Sequence, residues 1–306
     1  MIAPPPGQHG GDAPRLAAIL GVDVGEILEL SASLNPLAPD PAPIIARHLD
    51  VLDRYPDHER ATVALAEVMG VDRARLVLTN GGAEAIALVA QLHPVGWADP
   101  CEFSLYRRHL RTIDPGGPRW MSDPHNPTGR LASEDERAFV RDEAFYPLAT
   151  GTWSRGDPDT IVIGSLTKVF ACPGLRIGYV MVPDEETATR LRETQPRWAV
   201  NGLASAALPH FLASADLPGW RRGIAELRGQ LQDLLVHHGL VPEEGSANYL
   251  WVPHAPGLRD RLASRGVLVR SGASFGHPDA VRIAVPNPDG LARLEKALEE
   301  IGERHV

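Results

Sequence analysis

The sequence predicts an α/β fold with a smaller α+β region at its C-terminal end, and three observations carry the prediction. Short apolar runs with strand character, such as Arg75 to Thr79 (RLVLT) and Thr160 to Leu166 (TIVIGSL), alternate with stretches of helical periodicity. The first of these runs passes through a glycine-rich turn into an apolar helix, the pattern of strands joined by helical crossovers. The last third changes character. Long helices at Pro218 to His238 and Pro288 to Glu303 are separated by strands at Tyr249 to Val252, Val267 to Val269 and Val281 to Val285.

Taken in order, Asp12 is placed to cap a short helix, Ala13 to Leu20, that Gly21 would end. An apolar stretch from Ile27 to Leu30 leads into the loop Ser-Ala-Ser-Leu-Asn-Pro-Leu. Pro41 to Leu52 and Arg60 to Met69 read as helices around the turn Arg54-Tyr55-Pro56-Asp57, and Gly70 closes the second. From Gly96 to Arg130 the chain is rich in Pro, Gly and Arg, with one strand, Arg119 to Ser122. Ser133 with Glu136 forms a capping box, so Arg130 to Arg141 reads as a charged helix with no apolar strand before Asp142. Gly178 to Val182 (GYVMV) is a strand neighbouring 160–166. No repeat is visible.

Composition narrows the class. In 306 residues, 43% apolar and 23% charged is ordinary globular usage, with length for one large domain or two closely packed ones. Two cysteines, Cys101 and Cys172, do not make a disulfide framework. No apolar run approaches the roughly 20 residues of a membrane helix, and MIAPPPGQHGGD lacks the features of a signal peptide. A net charge of −9 with scattered arginines argues against nucleic acid as a partner, so a soluble, cytoplasmic protein is expected. The basic side chains are 28 arginines and only two lysines, Lys168 and Lys296. Where arginine is the default cation, a lysine at a special position draws attention, because arginine cannot form an imine.

Lys168 is at such a position. Ser165-Leu166-Thr167-Lys168 ends an apolar strand, where desolvation would lower the amine's pKa and make it a nucleophile; a solvated lysine would also fit there. Asp142, 26 residues earlier in Asp142-Glu143-Ala144-Phe145, is either a carboxylate able to hold a pyridinium nitrogen protonated or a surface acid. Asn126-Pro127-Thr128-Gly129 presents an amide on a turn.

In this order and spacing the three features resemble fold-type I pyridoxal-phosphate enzymes, the class I/II aminotransferase superfamily. The resemblance implies a mixed, mostly parallel sheet in a large domain plus a small α+β domain, with pyridoxal 5'-phosphate as cofactor. It makes Lys168 the covalent attachment point, pairs Asp142 with the ring nitrogen, and sets Asn126 against the ring oxygen and the substrate. Tyr106 would stack on the ring. Gly81, Gly82 and Ala83 at a helix start, with Ser165, Thr167 and Arg176, would hold the cofactor phosphate. Tyr55 would reach that phosphate from a neighbouring subunit, which implies a homodimer. No metal is implied.

Within the superfamily the chain resembles threonine-phosphate decarboxylases and histidinol-phosphate aminotransferases. Arg282 matches the arginine that clamps a substrate carboxylate, and Arg270 one that meets a substrate phosphate. His9, Gly10 and Asn35 would close over that phosphate. Trp198-Ala199-Val200-Asn201 and the residues after Lys168 look nearer the decarboxylases. So does Phe145, where aminotransferases of this kind carry tyrosine. The resemblance therefore implies decarboxylation of L-threonine O-3-phosphate to (R)-1-amino-2-propanol O-2-phosphate in cobalamin biosynthesis. Histidinol-phosphate-type amino transfer is the alternative, and a degenerate, non-catalytic relative the second. Expected boundaries are an arm over 1–40, the large domain over 41–195 and the small domain over 196–306. The intervals from Tyr106 to Asn126 and from Gly129 to Asp142 are short for the family. The large domain is thus expected to lack elements of its sheet or covering layer.

Overall fold

The computed structural model describes residues 9–302. Its strands are β1 (Leu28–Leu30), β2 (Leu76–Thr79), β3 (Val95–Ala98), β4 (Thr112–Ile113), β5 (Arg119–Ser122) and β6 (Val140–Asp142). They continue as β7 (Ile161–Ser165), β8 (Gly178–Met181), β9 (Tyr249–Val252), β10 (Val267–Ser271) and β11 (Val281–Ala284). Seven form one sheet in the order β2-β8-β7-β6-β5-β3-β4, and four form another in the order β1-β10-β11-β9. In the larger sheet only β8 runs antiparallel to its neighbours.

The larger sheet is buried on both faces. Val77, Trp120 and Ile163 pack with Ile86 and Val89 of the helix Gly81–Leu92 on one side. Leu78 and Val162 pack with Leu65, Phe170 and Leu208 on the other. Burial on both sides explains why β2 and β7 read as continuous apolar runs. In the smaller sheet Leu250 and Ile283 pack against Leu227 and Leu231 of Leu217–His237 and Leu294 of Pro288–Gly302.

Several expectations are corrected. The helix read over Pro41 to Leu52 is a five-residue helix, Ala42–Ala46, and a separate 3-10 turn, Leu49–Asp53. Asp12 precedes the helix Ala13–Leu20 but gives it no side-chain cap; Glu29 Oε2 accepts the Ala13 N–H at 3.2 Å instead. The expected single strand in the Pro/Gly-rich middle is joined by β3, β4 and the helix Ser104–His109.

The sheet is continuous, and the shortening falls on its connections. From β4 to β5 the chain crosses β3 within Asp114–Pro118, where parallel strands usually need a dozen or more residues. Glycine makes room for the crossing. A Cβ on Gly96 would lie 2.7 Å from Trp120 Nε1 and 3.1 Å from the Pro118 carbonyl oxygen.

From β5 to β6 no helix forms either. Ser133 donates its N–H to Glu136 Oε2 at 3.0 Å and Glu136 donates to the Ser133 carbonyl at 3.1 Å, closing one turn. The chain then enters β6, which the sequence hid because its middle residue is charged. Arg141 is fully buried and donates to Asp123 Oδ2 at 3.1 Å and Asp157 Oδ2 at 3.0 Å, and Arg155 Nε reaches Asp157 Oδ1 at 3.3 Å.

Among the described residues no helix is long and apolar enough to cross a membrane, and no cluster of three or more His, Cys, Asp or Glu could hold a metal.

Candidate active site

The carboxyl ends of β5, β6 and β7 open into a cavity of about 340 Å³, the place where α/β sheets bind ligands. Lys168 projects into it from the four-residue helix Leu166–Val169, directly after β7. Its Nζ donates to the Ala32 carbonyl at 2.7 Å. Burial, then the nearby Arg282, Arg176 and Arg270 guanidiniums, push the amine down to about 8. This is a desolvated lysine and not a solvated one.

Asp142 ends β6 in the same cavity, paired in register with Ile163 of β7. Its Oδ2 accepts the Tyr106 O–H at 2.8 Å and its Oδ1 accepts the Ala144 N–H at 3.0 Å. Burial pushes its pKa up against those two bonds. Asn126 follows β5; its Oδ1 accepts from Arg282 Nη1 at 2.5 Å, and its backbone N–H donates to Ser122 Oγ at 2.7 Å.

One end of the cavity is an anion cradle. Asn80 gives the helix Gly81–Leu92 no side-chain cap, so its first amides, at Gly82 and Ala83, remain to bind an anion at the positive end of the helix. Gly81 has φ +76°, and a Cβ there would stand 2.5 Å from Arg176 Nη2, so the guanidinium packs close against the turn. Ser165 Oγ and Thr167 Oγ1 are 2.8 Å apart beside it. A helix start, two hydroxyls and an arginine fit a phosphate monoester.

The other end is cationic. Arg270 of β10 and Arg282 of β11 are direct cross-strand partners, both buried. Like charges opposite each other destabilise a sheet, and an anion bound between the two guanidiniums would relieve that repulsion. Arg282 Nη2 donates to the Ser31 carbonyl at 3.2 Å, and its guanidinium stacks 4.5 Å from the Tyr249 ring centroid. His9 and Gly10 border this end. Burial, then Arg270, hold the His9 imidazole below its usual pKa, and its ring packs edge-on to Phe103 at 5.4 Å.

Two expected residues lie elsewhere. Tyr106, expected to stack on the ring, is buried behind the cavity with its hydroxyl committed to Asp142; Phe103, which the sequence reading passed over, lines the cavity instead. The signal lay three residues away in the same segment, Phe103-Ser104-Leu105-Tyr106. Asn35 is not at the substrate end. Its Nδ2 donates to the Val169 carbonyl at 2.9 Å and its N–H to the Lys168 carbonyl at 3.0 Å, so it braces the lysine's helix from below. Tyr55 does not line its own chain's cavity; it is 76% exposed and stacks on Trp198 at 4.4 Å. Asn201 caps the helix Gly202–Ala213. Ser31, Ala32, Ser122, Phe145 and Phe275 also line the cavity.

Fold and site together define a fold-type I pyridoxal-phosphate enzyme, and the comparisons with known proteins bear on its relatives. Residues 120–301 match the family model for aminotransferase class I and II, and the chain belongs to that family. A histidinol-phosphate aminotransferase of Dechloromonas aromatica is 26% identical over 352 aligned positions, covering 96% of this chain and 95% of the relative. Threonine-phosphate decarboxylase of Salmonella typhimurium is 29% identical over 359 positions, covering 96% and 97%. Alignments longer than this 306-residue chain mean that both relatives carry segments it lacks. Among solved structures, histidinol-phosphate aminotransferase of Sinorhizobium meliloti with pyridoxal-5'-phosphate superposes with TM-score 0.83 at 19% identity, covering 96% of this chain and 95% of that one. L-threonine-O-3-phosphate decarboxylase of Porphyromonas gingivalis gives TM-score 0.75 at 21% identity, covering 90% and 100%. The cofactor is pyridoxal 5'-phosphate.

Proposed function

We propose that the chain decarboxylates a small amino-acid phosphate, with L-threonine O-3-phosphate as substrate and (R)-1-amino-2-propanol O-2-phosphate as product, as in cobalamin biosynthesis. The observation that carries this reading is the opposed pair Arg270 and Arg282 in a cavity whose third arginine, Arg176, is already placed at the anion cradle. Two further cations suit a substrate bearing two anions, a carboxylate and a phosphate. A cavity of about 340 Å³ is at the small end for ligand sites, which suits a short substrate beside the cofactor.

Bound pyridoxal phosphate supplies an electron sink for the pair left when a bond to Cα breaks. Lys168 is the residue that would hold it covalently. Gly81, Gly82, Ala83, Ser165, Thr167 and Arg176 would hold its phosphate, Asp142 would pair with its ring nitrogen, Asn126 would bind its ring oxygen, and Phe103 would pack against the ring. Arg282, positioned by Asn126 and Ser31, holds the α-carboxylate; Arg270, with His9 and Gly10, takes the substrate phosphate. Two fixed anions set the rotation about Cα, and that rotation selects which bond is aligned for cleavage. Once the substrate amine has taken its place on the cofactor, the freed Lys168 Nζ would supply the proton that Cα takes up as carbon dioxide leaves.

Leu49, Leu52, Tyr55 and Trp198 are exposed apolar side chains, Tyr55 stacked on Trp198, and such exposure suits a second copy of the chain, with Tyr55 reaching the partner's cofactor phosphate.

Holoenzyme given threonine phosphate should release carbon dioxide without any keto acid. If only oxoglutarate-dependent amino transfer from histidinol phosphate appears, decarboxylation is wrong and amino transfer, the activity named for several relatives, replaces it. Protein that stays colourless with added cofactor, and is unchanged by borohydride, would favour the non-catalytic reading.

A further inference from the structure

Asn248 has no part in the function above, yet it reaches the reactive lysine through one turn of the chain. It stands directly before β9 and is fully buried, and its backbone carbonyl accepts the Val285 N–H at 2.9 Å, which seats it at the end of the smaller sheet. Its side chain serves another segment. Nδ2 donates to the Ser33 carbonyl at 2.9 Å and to the Leu34 carbonyl at 3.1 Å, so both of its hydrogens are used on one turn. Among the described residues Asn248 Oδ1 is buried without a hydrogen-bond partner. A buried amide with an unpaired oxygen is costly as mere packing, so what this residue contributes is the two donated bonds.

The turn it holds is strained and faces the site. Ser33 has φ +51°, a conformation that a residue with a Cβ adopts only where its surroundings impose it. Four successive carbonyls are each engaged. Ser31 accepts from Arg282 Nη2 at 3.2 Å, Ala32 from Lys168 Nζ at 2.7 Å, and Ser33 and Leu34 from Asn248. Asn35 closes the turn on the lysine's own helix, donating its N–H to the Lys168 carbonyl at 3.0 Å and its Nδ2 to the Val169 carbonyl at 2.9 Å. Asn35 thus ties the turn to the base of Lys168, Ala32 receives the tip, and Asn248 sets the shape of the two residues between them.

We propose that Asn248 is a positioning residue for the Lys168 amine: by fixing the strained turn at Ser33 and Leu34 it aims the Ala32 carbonyl at Nζ and gives the amine one resting place. The inference rests on Lys168 being the group that holds the cofactor and moves the proton at Cα. While the substrate occupies the cofactor, the Lys168 amine is free, and an amine on a flexible four-carbon stem samples many positions unless something holds it. The Ala32 carbonyl takes one of its hydrogens and keeps the nitrogen at the cavity wall. Without the two bonds from Asn248, Ser33 would relax out of the left-handed region and carry that carbonyl off the amine. Glycine adopts the same φ without strain, so Ser33→Gly should let the turn keep its shape unaided.

The presence of only two lysines makes the test direct. In magnetic resonance spectra of the cofactor-free full chain, isotope-labelled at its lysine ε-carbons, the signals come from Lys168 and from the exposed Lys296 of the last helix. An anchored Lys168 should show separate shifts for its ε-protons, whereas solvent-exposed Lys296 averages them. In Asn248→Leu, similar in size but without the donors, the Lys168 shifts should collapse toward one value while Lys296 is unchanged. Adding Ser33→Gly should restore the separation. In the holoenzyme, Asn248→Leu should lower kcat roughly tenfold or more and change KM less than about twofold, because Arg270 and Arg282 still hold the substrate's anions. If Asn248→Leu does not fold, Asn248→Ser, one bond too short for the two carbonyls, carries the same expectations. Retained separation in a folded Asn248 variant, no recovery with Ser33→Gly, or an unchanged kcat would each overturn the proposal. Covalent attachment of the cofactor that survives Lys168→Ala would instead sink the reading of Lys168, and leaves the cofactor-free spectra of the Asn248 variants standing.

Discussion

The desolvated lysine gives a quantitative expectation for how the apoprotein takes up its cofactor. Only the neutral amine can attack an aldehyde. At about pH 7.5 an amine with the ordinary pKa of 10.5 is about 0.1% neutral, whereas one at about 8 is roughly 24% neutral, a gain of about 240-fold. The rate of covalent attachment, followed by stopped-flow absorbance, should therefore rise with pH and level off near 8. Arg282→Met removes the largest of the repelling charges, so its midpoint should move up and its rate at neutral pH should drop several-fold. The same shift acts on stability. The unfolded chain holds this proton up to about 10.5 and the folded chain only to about 8, so stability should rise with pH across that window, by at most about 3 kcal/mol. Lys168→Met should lack that rise. An attachment midpoint at or above about 10 would refute the reasoning, because it would mean that the amine is hydrated in the folded protein.

Three other outcomes are expected. Gly96→Ala places a methyl against Trp120 Nε1 at the tight crossing and should cost about 1–3 kcal/mol, read as a lower melting temperature. Glu143 is 1% exposed, and burial pushes its carboxyl from 4.5 to about 8; stability should fall as pH rises through that interval, and Glu143→Gln should remove the fall in urea titrations. Phe145→Tyr places a hydroxyl in the cavity, and assays with and without a keto acid should show amino transfer gaining on carbon dioxide release.

What could be read from the sequence divides along a physical line. Lys168, Asn126, Ser165 and Arg176 were legible because each sits within a few residues of a strand end or turn whose local pattern is strong. The cross-strand pairing of Arg270 and Arg282 was not, because register belongs to two segments at once. Tyr106 and Phe103 share one segment, and only the packed helix decides which ring faces the cavity and which faces Asp142. β6 shows the limit most clearly. Strand recognition relies on apolar residues, but Arg141 is fully buried among carboxylates. Connections that carry no helix cannot cover a sheet with apolar side chains, and here Asp123, Asp157 and Arg155 cover β6 with ion pairs instead. A buried charge pair adds little net stability, but removing one partner strands the other, at a cost of about 3–5 kcal/mol. The cover is therefore specific where an apolar helix would be forgiving. It also lies directly behind Asp142, the neighbour of Arg141 in the chain. Asp123→Ala should accordingly do more than lower the melting temperature: by taking away one of the two carboxylates that hold Arg141 it should disturb the end of β6 and change the visible spectrum of the bound cofactor. A destabilised protein with an unaltered spectrum would show that the ion-paired cover and the site are independent.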